Sequence, residues 1–221
     1  MQHFATTAPI TTVLDIPAGR VRFVAADLAE TSVEVLPADP AKNRDVKAAE
    51  QVKVAFSEGV LRIEGAVKNQ YFGPSGALDV TVQLPAGSDV RAKAASVELR
   101  GVGRLGDVTV EGAHGEAVFD EAESLRLTAH AGDVSVGRLT GPAEITTGKG
   151  DIRIAEAVSG NVVLSTQAGD ITVGAATGVS ASLDAGTTYG RIRNSLKNTE
   201  GTPGLTIHAT TAYGDIDAGS R

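Results

Sequence analysis

The chain has 221 residues, a formal net charge of −7 and no cysteine. Disulfides, thiol catalysis and thiolate metal sites are therefore excluded, and the acidic balance argues against a general nucleic-acid binder, which normally has a basic surface. The length suits one elongated domain, or one domain with a cap.

The N-terminus shows no targeting pattern. The first 15 residues have neither a basic n-region nor an apolar h-region, so we predict no signal peptide. No apolar run approaches the ~18 residues that are needed to cross a bilayer. We therefore expect a cytoplasmic protein without a membrane span.

Residues 1–88 are predicted to form an irregular, β-rich cap, continuous with a regular stack over residues 89–221. Alternating apolar and polar residues predict strands at 12–16, 20–24, 32–36, 51–56, 60–64 and 78–84. The stretches 37–45 and 68–76 are polar loops. Residues 47–53 could pass for a helical turn, but we expect none.

The loop 68–76 holds our candidate contact residues, Tyr71 and Phe72. Aromatic side chains are favoured at interface centres, so an exposed pair would anchor a partner. Alternatively, one of them folds back as an apolar lid over the end of the stack. We prefer the lid, and both interpretations stay open.

From residue 89 onward, a short phrase recurs about every 18 residues, and repeats of this kind decide the fold. It is clearest in LTAHAGDVSV (127–136), ITTGKGDIRI (145–154) and LSTQAGDITV (164–173). The repeats are aligned on one small residue each: Ala95, Gly115, Gly132, Gly150, Gly169, Gly190 and Gly214. Each repeat predicts two short strands joined by a bend, with no room for a helix between them.

The economical fold is all-β: a two-sheet, single-stranded β-solenoid, similar to a β-helix, of about seven short coils. Coils stack at roughly 4.8 Å, with one inward row of aliphatic residues from each strand. We expect the coils to follow chain order. The C-terminal coil would then form an open end, protected by its long bends or by pairing with a second molecule.

A structural ladder of bends is predicted from the recurring Gly-Asp pair. Glycine tolerates positive φ, and aspartate bonds a nearby backbone N–H in an Asx-type turn. The ladder consists of Gly132, Asp133, Gly150, Asp151, Gly169, Asp170, Gly190, Gly214 and Asp215. A calcium ladder is the alternative, but calcium-binding solenoids use G-G-x-G-x-D every nine residues, and Arg191 occupies one aspartate position.

No constellation predicts catalysis or a cofactor. His114 and His130 precede neighbouring bends with Glu116 close by, but zinc normally takes three or four protein ligands, so we predict solvated bends and no metal. The pieces 101–103 and 148–150 have the pattern G-x-G without a following helix and are interpreted as bends. We expect no catalytic residue and no small-molecule ligand.

The phrase T-x-x-G-D-[IV]-x-[IV], with V-x-L-P-A-G-S at 82–88, resembles the bacterial DUF4097 family of adhesin-like, β-strand-repeat proteins. The resemblance covers nearly the whole chain and is clearest over 78–218. It implies a β-solenoid and brings no catalytic residues. The adhesin label implies a surface protein, whereas this chain shows no export signal or anchor.

The function predicted from the sequence is a non-enzymatic structural or interaction scaffold. It would bind a protein partner or associate with itself through the solenoid ends, and it would not bind nucleic acid. One alternative is a carbohydrate-active β-helix enzyme, which would need acids and arginines along one groove. Another is a cytoplasmic solenoid that assembles through its ends.

Overall fold

Alternating aliphatic residues build a parallel stack of short strands. The structure, a computed structural model, describes residues 1–65, 76–198 and 202–221. Its strands are Gln2–Ala5 (β1), Thr11–Ala26 (β2), Glu30–Pro37 (β3), Lys53–Ser57 (β4), Val60–Glu64 (β5), Leu78–Pro85 (β6), Asp89–His114 (β7), Ala117–Ala131 (β8), Val134–Leu139 (β9), Ala143–Lys149 (β10), Ile152–Ala157 (β11), Gly160–Ala168 (β12), Ile171–Ala175 (β13), Ala181–Tyr189 (β14), Ile192–Ser195 (β15), Leu205–Tyr213 (β16) and Ile216–Ser220 (β17).

Each coil, meaning one circuit of the chain, adds a strand to each of two parallel ladders. In the first ladder, β10 lies between the end of β8 and β12, so Ile145 is level with Leu127 and Leu164. In the second ladder, β11 lies between β9 and β13, and Ile152 is level with Ile171. The solenoid class predicted from the repeats is confirmed.

The core consists of the inward residues of these ladders. Ile145, Ile154 and Leu164 are wholly buried. Burying an aliphatic side chain of this size contributes roughly 1.5–3 kcal/mol, so the rows supply the main favourable term. A shorter third row, which includes Leu139 and Ala157, is also buried and closes each coil.

The N-terminal part contributes to the stack and also covers one end of it. Strand β2 is parallel to β7 on one side and to β5 and β6 on the other. Beyond them, β4 pairs with β5 and β3 with β6, both antiparallel. The strands predicted here are confirmed, and the division of the chain at residue 88 stays a prediction.

Two details of the N-terminal prediction were wrong. A helix, Asn43–Glu50 (α1), overlaps stretches predicted as a loop and as non-helical, and its Asp45 is buried, accepting the N–H of Ala77. The first repeat was also misaligned by two residues, because Leu99 is level with Ala117, which puts Val97 rather than Ala95 beside Gly115. In the described part of the chain, no helix is long and apolar enough to cross a bilayer.

The last two coils stack in the reverse of chain order, contrary to our expectation. Strands β16 and β17 pair with β12 and β13, while β14 and β15 lie outside them at the end of the stack. The C-terminal coil places Leu205, Ile207 and Ile216 inward, all buried. The end coil has Asn194 at an inward position, and leaving that polar rung at the end avoids the cost of burying an unpaired amide.

Cysteine pairs in this cysteine-free chain test the coil order. Thr172 is level with Asp217, and Asp217 is level with Arg193, so Arg193 lies two strands from Thr172. Neighbouring strands are about 4.8 Å apart, a distance that a disulfide can span. A disulfide cannot span twice that distance.

We expect Thr172→Cys/Asp217→Cys to form an intramolecular disulfide on oxidation and Thr172→Cys/Arg193→Cys to remain reduced. Peptide mass spectrometry under dilute conditions is the measurement. A disulfide in the second variant alone would restore the chain-order stack.

Candidate functional site

A column of bend glycines runs along one corner of the stack. Gly132, Gly150, Gly169 and Gly214 have φ of +127°, +135°, +154° and +153°, in the region that only glycine adopts without strain. A Cβ on Gly150 would overlap the carbonyl oxygen of Gly132, and the same holds for Gly169 against Gly150. Glycine is therefore required at these positions, both by the dihedral angle and by the close approach of the neighbouring backbone.

The aspartates that follow these glycines bridge successive coils. Asp133 Oδ1 accepts the N–H of Asp151 at 2.9 Å, and Asp151 Oδ1 accepts that of Asp170 at 2.8 Å. The series continues through Asp215 at 2.7 Å and ends when Asp215 Oδ1 accepts the N–H of Arg191 at 2.9 Å. Each carboxylate thus bonds the next coil, rather than the N–H of its own bend that an Asx-type turn would use.

Threonines three residues before the glycines form a second inter-coil column. Thr166 Oγ1 donates to the carbonyl of Gly150 at 3.1 Å, Thr211 to that of Gly169 at 3.0 Å. Both side chains are nearly buried. Thr187 does the same toward Gly214 at 3.0 Å. In these three coils the threonine thus bonds the neighbouring coil, whereas Thr147 Oγ1 donates to the carbonyl of Lys149 in its own coil.

The aspartates belong to a longer acidic column on the outer surface. Strand register places Glu98 and Glu116 in line with Asp133, with Arg20 level with Glu98 on one side and Arg191 following Asp215 on the other. Among the described residues, no group of three or more His, Asp or Glu side chains could hold a metal ion. In the aspartates of this column, one carboxylate oxygen is already engaged by the backbone N–H of the next coil.

The two candidate histidines are not brought together in register. His114 is level with Ala131 rather than with His130. His130 borders an open hollow, which it shares with Asp15, Lys93 and Glu111. Among the described hydrogen bonds, none joins either histidine to a serine or threonine hydroxyl.

The aromatic candidates divide into two sets. Tyr71 and Phe72 lie outside the described residues, and their role stays a prediction. Tyr189 and Tyr213 stack on each other, with ring centroids 5.1 Å apart and planes 7° from parallel. Both are more than 60% exposed, so this pair forms an aromatic patch on the surface.

Known proteins share this architecture. A family model described as Toastrack DUF4097 matches residues 13–220. A solved structure called a "putative adhesin", from Bacteroides fragilis, is 15% identical, covers 98% of this chain and 95% of its own, and superposes with a TM-score of 0.55. A "putative lipid binding protein" from Parabacteroides distasonis is 10% identical over 98% of this chain and 95% of its own, with a TM-score of 0.42. No curated protein sequence matches.

At these identities, the likeness concerns the fold alone. The Bacteroides structure supports the solenoid, and it assigns no binding residue to this chain.

The aspartate column predicts a position-dependent loss of stability. Asp151→Ala leaves the N–H of Asp170 without its charged acceptor and should lower the free energy of unfolding by about 1 kcal/mol. Arg191→Ala is the matched control, because only the backbone N–H of Arg191 takes part in the column. We expect it to stay within about 0.5 kcal/mol of the parent in urea unfolding. Equal losses in both variants would contradict the inter-coil role.

Two buried threonines predict changes of opposite sign. Thr12 Oγ1 is buried with no hydrogen-bond partner in the described structure, level with Leu61 and Val90. Thr12→Val should therefore raise the free energy of unfolding by about 1 kcal/mol. Thr166→Val removes the bond to Gly150 and should lower it by a similar amount. Changes of the same sign in calorimetry would refute the assignment.

Proposed function

This chain belongs to the Toastrack DUF4097 family, and we propose that it is a non-enzymatic scaffold whose outer faces bind a macromolecular partner. The observation that carries this proposal is the complete structural use of the repeated polar residues. The glycine, aspartate and threonine columns hold coils together, as Asp151 and Thr166 illustrate. Among the described residues, the repeated aspartates Asp133, Asp151, Asp170 and Asp215 and threonines such as Thr166 are thus engaged by backbone groups of the stack.

The outer faces suit a protein partner better than a nucleic acid. Opposite charges alternate along them, with ion pairs such as Arg126–Glu144 at 3.0 Å and Arg100–Asp120 at 3.2 Å. Exposed pairs of this kind contribute little to stability. A phosphate backbone needs a basic surface, whereas mixed charges confer selectivity between proteins.

Three finer features belong to the same proposal. Tyr71 and Phe72 are the proposed contact residues in the N-terminal part. Self-association through the ends of the stack is the proposed second mode of interaction. A cytoplasmic location is also proposed, and fractionation of the native cell tests it.

Site-specific photo-crosslinking in the native cell tests the scaffold function. A benzophenone amino acid is placed at Phe72, at Thr172 on the outer face, and at buried Ile154 as the control. We expect adducts of discrete mass from the first two positions and none from Ile154. Absence of adducts at both Phe72 and Thr172 would contradict the scaffold function, and release of reducing sugar from a polysaccharide panel by the purified protein would favour the enzyme instead.

A further inference from the structure

One end of the stack is an unpaired sheet edge. Among the described residues, β14 forms ladder bonds only with β16, and β15 only with β17. On the outer edge of β14, the N–H of Ala181 donates to the carbonyl of Lys197 at 3.1 Å. In the described ranges, the other outward backbone groups of this edge pair with no further strand, and unpaired edge groups have the geometry that recruits one.

The apolar side chains at this end are only partly covered. Ile192 is 45% exposed, whereas Ile216 and Ile171, level with it in the next two coils, are 1% and 0% exposed. At the opposite end, Leu61 and Val82 are wholly buried, because antiparallel strands lie beyond them. The fold therefore completes one end and leaves the other open.

The charges on the two edge strands are of opposite sign. The only charged residue of β14 is Asp184, whose side chain is 83% exposed, and the only one of β15 is Arg193, 60% exposed. Their partners within the chain are His208 at 3.3 Å and Asp217 at 3.7 Å, on the coil beneath. Both side chains thus stand at the open end, where a second strand would meet them.

We propose that two copies of this chain associate through the open end, with β14 of each copy beside β15 of the other. A two-fold axis makes every contact occur twice, so two Asp184–Arg193 pairs form at once. Pairing β15 with β15 would instead bring Arg193 against Arg193. This inference rests on the proposed scaffold function and defines its self-association. Because the other end is covered, assembly stops at the dimer.

Sedimentation equilibrium of the full chain over a wide concentration range is the first test, and we expect a reversible monomer–dimer equilibrium. Asp184→Arg and Arg193→Glu should each raise the dimer dissociation constant about tenfold or more, since like charges then face each other. The double variant should restore dimerisation. Arg153→Glu, on a central coil of the same sheet, is the matched control and should leave the constant unchanged.

Disulfide trapping identifies the strands that meet. A mixture of Asp184→Cys and Arg193→Cys chains should yield the mixed covalent dimer on oxidation, well above either homodimer. Circular dichroism and melting temperature confirm that each variant is folded.

A monomer at every concentration, a polymer larger than a dimer, or a predominant Asp184→Cys homodimer would overturn the proposal. These outcomes leave the photo-crosslinking result untouched, so failure of the dimer and failure of the scaffold function are distinguishable.

Discussion

The structure depends on the close approach of backbone to backbone at the glycine bend. Each glycine in the column lies against the carbonyl of the glycine in the preceding coil. Neighbouring strands can keep their spacing through this corner only if no Cβ intervenes. Once that contact sets the register, the inward rows, the aspartate ladder and the threonine ladder are aligned automatically, since each lies at a constant offset from the glycine.

Sequence patterns were sufficient to predict the features that this strand register determines. The rows through Ile145 and Ile154 follow from period-two alternation around each glycine, and they are buried as expected. The misaligned first repeat shows the limit, because Ala92 and Ala94 both face inward and a shift of two residues leaves inward and outward faces unchanged. Helix α1 was missed for a different reason: Asp45 is buried by contact with the distant residue Ala77, which no local pattern records.

The sequence indicates the order of the coils only weakly. The one indication is a residue at a bend. Coils 181–195 and 205–220 carry the same pattern, so alternation cannot say which lies outside. An aspartate at the bend serves only a coil that has another coil beyond it, because its carboxylate accepts the N–H of that next coil. Arg191 is the bend residue of the outermost coil. No further coil requires an aspartate there, so its departure from the Gly-Asp pattern agrees with its place at the end of the stack.

Some candidate sites can be predicted from the sequence and others cannot, depending on whether stacking fixes the residue. Positions fixed by stacking, such as Asp151, repeat and can be recognised, whereas outward positions such as Val163 and Arg153 are free to vary from coil to coil. A partner that binds the outer faces leaves no periodic trace, so the repeat alone cannot name it. The end coil is different, because the fold itself creates the need for a partner there. Its strand edges are unpaired among the described residues, and Ile192 beside them is half-exposed, which is unfavourable in water. At this end of the stack, the fold itself favours an interaction. The proposed contact is β14 of one copy beside β15 of the other.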